Sequence, residues 1–144
     1  MASIWYQTPD PALIDAMSEG TIDEHLGIRI TEVGDDYLTG TMPADKRTFQ
    51  PYGVVHGGAN VVLAETLGSI AGAHVINTSS LLCLGQEVSA THLRPVSSGI
   101  VTGTARPIHL GRRSHVWEIR LKNDQGKLSC IAKLILAIVP KGPA

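Results

Sequence analysis

The spacing of apolar side chains changes several times along the chain, and each change marks an element. Asp10 followed by Pro11, with Leu13, Ile14 and Met17 behind them, predicts a short capped helix that stops near Gly20. A second short turn is expected around Asp23 to Leu26. From Gly27 the period becomes two, with Ile28 and Ile30 and then Val33. A turn at Gly34-Asp35-Asp36 and the stretch Tyr37 to Met42 complete a predicted β-hairpin. Pro43, Pro51 and Gly53 break residues 43–55 into a loop.

Between Gly57 and Val75 the chain carries one acid, Glu65, and no permanent base. A stretch this apolar predicts a buried helix over about residues 56–75. After Asn77-Thr78-Ser79-Ser80 come four strand-like stretches, 81–95, 99–108, 113–123 and 127–139. The breaks between them, Pro95 to Gly99, Gly111, and Asn123-Asp124-Gln125-Gly126, are hairpin-sized. Trp117, Ile119 and Leu121 alternate with Glu118 and Arg120, so one face of that strand is expected to be wetter. Ile131 to Val139 is apolar on both faces apart from Lys133, which predicts a central strand. Helix, hairpin, long apolar helix and four antiparallel strands make an α+β layout in which a curved sheet covers the helix. One side of one sheet does not cover a helix that is apolar nearly all round, so a partner subunit is expected.

Composition narrows the function classes. The chain has 144 residues without repeat or linker and reads as one domain over 1–144. Hydrophobic residues make up 43% and charged residues 17%, which suits a globular chain. Twelve basic and 13 acidic residues with no basic run argue against a nucleic-acid footprint, though not against a local patch for one phosphorylated ligand. Cys83 and Cys130 lack CxxC spacing and read as reduced core thiols. No secretory signal is visible, and glycines, Asn60 and Glu65 disfavour a membrane span, so a cytoplasmic protein is expected. His25, His74 and His115 lack ligand spacing with other His or Cys, and no metal site is expected.

Candidate chemistry gathers on the long helix. Steps of three and four place Gly58, Val62, Glu65, Ser69 and Gly72 on one face. An ionised carboxylate in apolar surroundings is costly unless something stabilises it, which makes Glu65 a candidate for catalysis. The alternative is structural: Gly58 and Gly72 allow close packing, and Glu65 pairs with a buried Arg or His. The helix start is the second candidate, because first-turn N–H groups lack internal partners and favour negative charge developing on a carbonyl oxygen. Gln50, six residues before His56, could add an amide donor. His56-Gly57-Gly58 could equally be only a helix cap or a glycine loop. Gly57 and Glu65 are eight residues apart, roughly 12 Å along a helix, too far for both to act on one carbonyl. Either one of them is functional, or each site combines Gly57 of one subunit with Glu65 of another in a symmetric dimer.

At these residues the sequence resembles the hotdog-fold acyl-CoA thioesterases of the PaaI-like branch. That branch contains the Arthrobacter-type 4-hydroxybenzoyl-CoA thioesterase, the dihydroxynaphthoyl-CoA thioesterase and the enterobactin-proofreading thioesterase. The stretches that carry the likeness include Met42-Pro43, Gln50 through Gly58, Leu63 through Ser69, Ala90 through Pro95 and Pro107 through Arg112. The resemblance implies a five-stranded antiparallel sheet wrapped around one long central helix, in homotetramers built as dimers of dimers with sites at dimer interfaces. It implies Glu65 as nucleophile or general base, Gly57 N–H polarising the thioester oxygen with Gln50 assisting, His56 near the carbonyl and leaving thiolate, and Ser69 positioning water or the carboxylate. Coenzyme A would be bound by Gly85, by His92, Leu93, Arg94 and Pro95, and by His109, Leu110, Gly111, Arg112, Arg113 and Ser114. Arg94, Arg112 and Arg113 would face its phosphates. No cofactor is implied, since CoA is part of the substrate. Asn60 departs from the serine common in this pattern, which bears on the acyl pocket, as do Tyr52 and residues 76–82.

The implied activity is hydrolysis of aromatic acyl-CoA thioesters, with Val62, Leu63 and Ser69 shaping the acyl pocket. The alternatives are proofreading of a mis-acylated aryl carrier protein and, further off, a non-catalytic acyl-CoA-binding protein. A hotdog dehydratase, with its differently placed His/Asp pair, fits poorly. If each site spans two subunits, mixing Gln50→Ala and Glu65→Ala variants should restore partial activity in heterodimers; no recovery in well-mixed heterodimers would sink the shared site.

Overall fold

The Asp10 side chain accepts the Ala12 N–H at 3.0 Å and caps α1 (Pro11–Met17), while Pro11 fills a first-turn position where an N–H has no partner in any case. The computed structural model describes residues 2–143. Gly20 turns the chain at φ +76 into the short α2 (Ile22–His25). The hairpin follows as β1 (Arg29–Val33) and β2 (Leu38–Pro43), closed by Gly34 N–H donating to the Tyr37 carbonyl at 2.9 Å. The long helix α3 (Gly57–Val75) comes next, then β3 (Leu81–His92), β4 (Ile100–Leu110), β5 (Ser114–Lys122) and β6 (Leu128–Pro140).

The strands form one antiparallel sheet in the order β1-β2-β4-β5-β6-β3. There are six strands, not the five implied by the resemblance; the extra one is β1, whose five residues pair along the outer edge of β2. β6 pairs on both sides, as its apolar sequence requires, but lies one strand from the edge and not at the centre. Its outward residues Ile131, Ile135, Ala137 and Val139 are only half-buried. β3 stops at His92, short of the expected residue 95, where Leu93 and Arg94 both donate to the Ser129 carbonyl and the chain turns away before Pro95. With twelve residues and β6 on one side only, β3 leaves the other edge of its backbone unpaired within the chain.

α3 lies across the sheet and touches β2 through β6. Leu63, Ala64, Leu67, Gly68, Ala71 and Gly72 face it and are buried, against Trp117, Ile119, Leu121, Leu134 and Leu136. The alternation expected along β5 is present, with Glu118 and Arg120 on the open face. Leu63 belongs to this core, and not to the open side of the helix where it could line an acyl pocket. On the other side, Val62, Glu65 and Ser69 are half-buried and Gly58 is exposed. The helix is therefore not buried all round, and Glu65 is not a fully buried carboxylate. Among the described residues no helix is long and apolar enough to cross a membrane.

Glycine allows the helix to approach this closely. A Cβ on Gly40 would lie 2.6 Å from Leu67 Cδ2 and 2.7 Å from the Arg29 carbonyl oxygen, and the backbone atom cannot move aside. Gly40→Ala should lower the unfolding free energy by about 1–3 kcal/mol, as overpacked cores do. Gly142→Ala, with open space around it, should leave the urea midpoint unchanged; equal midpoints for the two variants would refute the packing account.

Candidate active site

Of the first four N–H groups of α3, three are satisfied locally. The His56 ring Nδ1 accepts Gly58 N–H at 2.8 Å, and the His56 carbonyl accepts Ala59 N–H at 2.9 Å and Asn60 N–H at 3.2 Å. Among the described residues nothing accepts from Gly57 N–H. His56 is thus a helix cap, as one sequence alternative held, and the capping leaves one amide free for another acceptor. Because its Nδ1 accepts, the His56 ring carries its proton on Nε2.

That free amide borders a cleft of about 380 Å³ lined also by Gln50, Asn60, His92, Arg94 and Pro95. The Gln50 side-chain oxygen accepts Tyr52 N–H, which leaves its amide nitrogen available as a donor. Arg94 donates from Nη1 to the Leu128 carbonyl at 2.9 Å, holding its guanidinium at the rim. His92 stands against the helix start: its Nε2 lies 2.8 Å from where a Cβ on Gly57 would sit, and its Nδ1 lies 3.3 Å from Asn60 Nδ2. Tyr52, expected to tune the acyl group, is 92% exposed in the single chain.

A β-bulge brings His92 to this place. In β3, Gly85 pairs with Leu136 but Glu87 pairs with Ile135, so Gln86 is an extra residue in the strand. Before the bulge, odd-numbered residues face α3; after it, even-numbered ones do. Gly85 and His92 therefore share the helix-facing side, although strict alternation would place them on opposite faces. The two-residue period of the sequence carries no mark of this, so the contact of His92 with Gly57 and Asn60 was not legible there.

Glu65 is absent from the Gly57 cleft. Its Oε2 lies 2.7 Å from where a Cβ on Gly85 would sit, so the carboxylate rests over the middle of β3. Among the described residues it makes no ion pair, and the structural alternative of a buried Arg or His partner is not realised. Ser69, one turn on, is half-buried beside it. The turn carrying His109, Leu110, Gly111, Arg112, Arg113 and Ser114 lies level with this end of β3, since His115 pairs with Leu136 and Leu136 with Gly85. His92 through Pro95 lie at the opposite end, roughly 20 Å away at about 3.3 Å per residue. The expected residues thus fall into two groups on one chain. Gln50, His56, Gly57 and His92 through Pro95 form one; Glu65, Ser69, Gly85 and His109 through Ser114 form the other.

The cysteines behave as core residues. Burial pushes the Cys83 thiol up to about 11 and raises Cys130 as well, so neither is a ready thiolate. Burial, with His109 nearby, lowers the His115 pKa, which keeps that ring neutral under the helix. No cluster of three metal-ligating side chains occurs among the described residues. A larger groove of about 500 Å³ is lined by Asp15, Glu19, Glu24, Arg29 and Arg47 and contains none of the expected residues.

Known proteins resemble this chain in sequence and in fold. The family model of the thioesterase superfamily matches residues 52–130. The Pseudomonas aeruginosa protein PA1618 is 54% identical over 96% of this chain and 95% of its own, and the crystal structure of a glutamine-to-alanine variant of that thioesterase superposes with a TM-score of 0.95. The proofreading thioesterase EntH of Cronobacter turicensis is 46% identical over 94% of this chain and 98% of its own. The 1,4-dihydroxy-2-naphthoyl-CoA hydrolase of Escherichia coli is 42% identical over 94% and 99%. Two structures of a Staphylococcus aureus protein, 36% and 35% identical over 83% of this chain and 99% and 98% of theirs, both with TM-score 0.80, carry alanine for a glutamate and for a glutamine fifteen positions before it, the spacing of Gln50 and Glu65. With a matching family model and relatives alike over nearly its whole length, this chain belongs to the thioesterase superfamily and has its hotdog fold.

Proposed function

We propose that this thioesterase hydrolyses aromatic acyl thioesters of coenzyme A to the free acid and CoA, in sites that each combine two copies of the chain. The observation that carries this reading is the placement of a free amide at Gly57 and an unpaired carboxylate at Glu65, roughly 12 Å apart on one helix. Antiparallel pairing of two copies joins the Gly57 end of one to the Glu65 end of the other, and a two-fold axis does so twice. The unpaired edge of β3, with Leu82 and Leu84 exposed, suits such a pairing. It would also bring His92 through Pro95 of one copy toward the His109–Ser114 turn of the other, gathering Arg94, Arg112 and Arg113 for the phosphates of one CoA.

The thioester oxygen accepts from Gly57 N–H and the Gln50 amide, which stabilise the charge that develops as the carbonyl is attacked. Glu65 then works in one of two ways. It attacks the carbonyl carbon, giving an anhydride that water later cleaves, or it takes a proton from water as the water attacks. In either case the C–S bond breaks, the sulfur leaves as thiolate, and the water consumed in the reaction supplies the proton that makes it CoA thiol. In single-turnover hydrolysis in heavy-oxygen water, label in Glu65 identifies the anhydride route, since only water that cleaves an anhydride at the Glu65 carbonyl puts it there. The named substrate of the E. coli relative supports an aromatic acyl group.

Likeness to the proofreading thioesterase favours a second reading, hydrolysis from an aryl carrier protein, where the pantetheine arm is shared but the nucleotide is absent. Faster thiol release from benzoyl-CoA or 4-hydroxybenzoyl-CoA than from the same acyl group on a carrier supports the first reading, and the reverse order supports the second. Glu65→Ala should cut turnover by about 10²–10⁴-fold or more while CoA still binds; near-normal turnover would refute the assignment. Gly85→Ala tests where the carboxylate rests. Its Cβ displaces only the tip of a flexible side chain, so kcat/KM should fall about tenfold or more with the melting temperature nearly unchanged. Loss of stability without loss of rate would overturn that placement.

A further inference from the structure

Asn60 is 94% buried at the floor of the Gly57 cleft, and its side chain has a single partner. Its Nδ2 meets His92 Nδ1 at 3.3 Å, and its Oδ1 has none. Two orientations of the amide are conceivable, and they assign the His92 proton differently. With Nδ2 toward the ring, Asn60 donates, Nδ1 accepts and the proton sits on Nε2. With the amide reversed, Oδ1 would accept from a protonated Nδ1, and both N–H groups of a buried amide would be stranded. The donating orientation strands Oδ1 and one N–H, the reversed one strands both N–H groups; an orphaned carbonyl is more tolerable than an orphaned N–H, so the donating orientation is the stable one.

We infer that Asn60 is a positioning residue: it holds His92 as the Nε2–H tautomer with that N–H beside the Gly57 amide, so that the ring becomes a further hydrogen-bond donor to the substrate's carbonyl oxygen or leaving sulfur. His92 Nε2 comes within 2.8 Å of the place a Gly57 Cβ would take, so it stands next to the one first-turn amide left free. The bulge at Gln86 turns the ring toward the start of α3, and Asn60 settles which nitrogen carries the proton. The role in turnover rests on the thioesterase reading; the tautomer does not.

The tautomer is read from the two-bond ¹H–¹⁵N spectrum of the intact protein at alkaline pH, where the ring is neutral. His92 should show a bare Nδ1 and a protonated Nε2. Asn60→Asp offers only acceptors and should draw the proton to Nδ1, and the isosteric Asn60→Leu should leave a mixture of tautomers. Both variants should lower kcat/KM on benzoyl-CoA about tenfold, the scale of one well-placed hydrogen bond. In a His92→Gln background the side-chain amide keeps a donor near the Nε2 position but presents no Nδ1, so the same Asn60 changes should cost nothing further. A protonated Nδ1 in the unmodified protein overturns the inference, whether or not the variants fold. So does an Asn60→Asp spectrum identical to it, or an equal loss of activity in the His92→Gln background. Absence of thioester hydrolysis by the unmodified protein would refute the proposed function while leaving the tautomer measurement intact.

Discussion

An α-helix does not shorten. Eight residues separate the free amide of Gly57 from the carboxylate of Glu65, and the hydrogen-bonded backbone between them fixes the gap at roughly 12 Å. Much of the remaining architecture answers to that constraint. One chain does not close the gap by moving a loop, because both groups sit on the same rigid rod. The rod is itself clamped to the sheet by close contacts over Gly40, Gly68 and Gly103, where any side chain would collide with Leu67, Leu121 or Leu134. In the proposed two-chain site that rigidity has a chemical use, since groups that act on one carbonyl must be held within fractions of an ångström.

The sheet repeats the same division. Read across the strands, the His92 end of β3 is level with Cys130 and Leu121, and the Gly85 region is level with Leu136 and His115. One end carries donors and Arg94; the other carries the acid and the turn with Arg112 and Arg113. Unsatisfied surface includes the free edge of β3, the exposed Leu82 and Leu84 on the sheet face away from α3, and the half-buried Val62 and Ser69 of α3. These are the places where a second copy would remove apolar area from water.

Much of this was legible in the sequence because it depends on local patterning. The Asp10-Pro11 cap, the turn at Gly34, the apolar helix and the alternation along β5 all follow from short-range rules and lie where those rules place them. What was not legible depends on strand counting. The single extra residue at Gln86 reverses the facing of everything after it, so the parity that serves β5 fails for His92. Apolar content on both faces of β6 signalled pairing on both sides, but not how near the edge it lies. Glu65 looked like a buried charge because its neighbours in sequence are apolar. Burial, however, is decided by the face a residue occupies, and the sheet covers the face of Leu63 and Leu67 instead. The residues tied to the proposed chemistry were readable by type and motif; their division into two groups could be foreseen for Gly57 and Glu65 alone, because helix rise is the one distance a sequence supplies directly.

That division also has a consequence for the acid itself. The Gly57 cleft offers hydrogen-bond donors: a free backbone amide, the Gln50 nitrogen and the His92 imidazole, whose Nδ1 faces Asn60. A carboxylate on the same chain within reach of this cluster would be captured by it, since charged acceptors make the stronger hydrogen bonds. Such a pair would quench both partners, with the donors occupied and the acid too stabilised to attack or to take a proton. Keeping Glu65 over Gly85, where among the described residues no side chain donates to it, leaves its lone pairs uncommitted. In the proposed two-chain site the thioester carbonyl comes between them, its oxygen taking the donors and its carbon facing the acid. The distance that makes one chain incomplete is then also what keeps its two reactive halves from neutralising each other before substrate arrives.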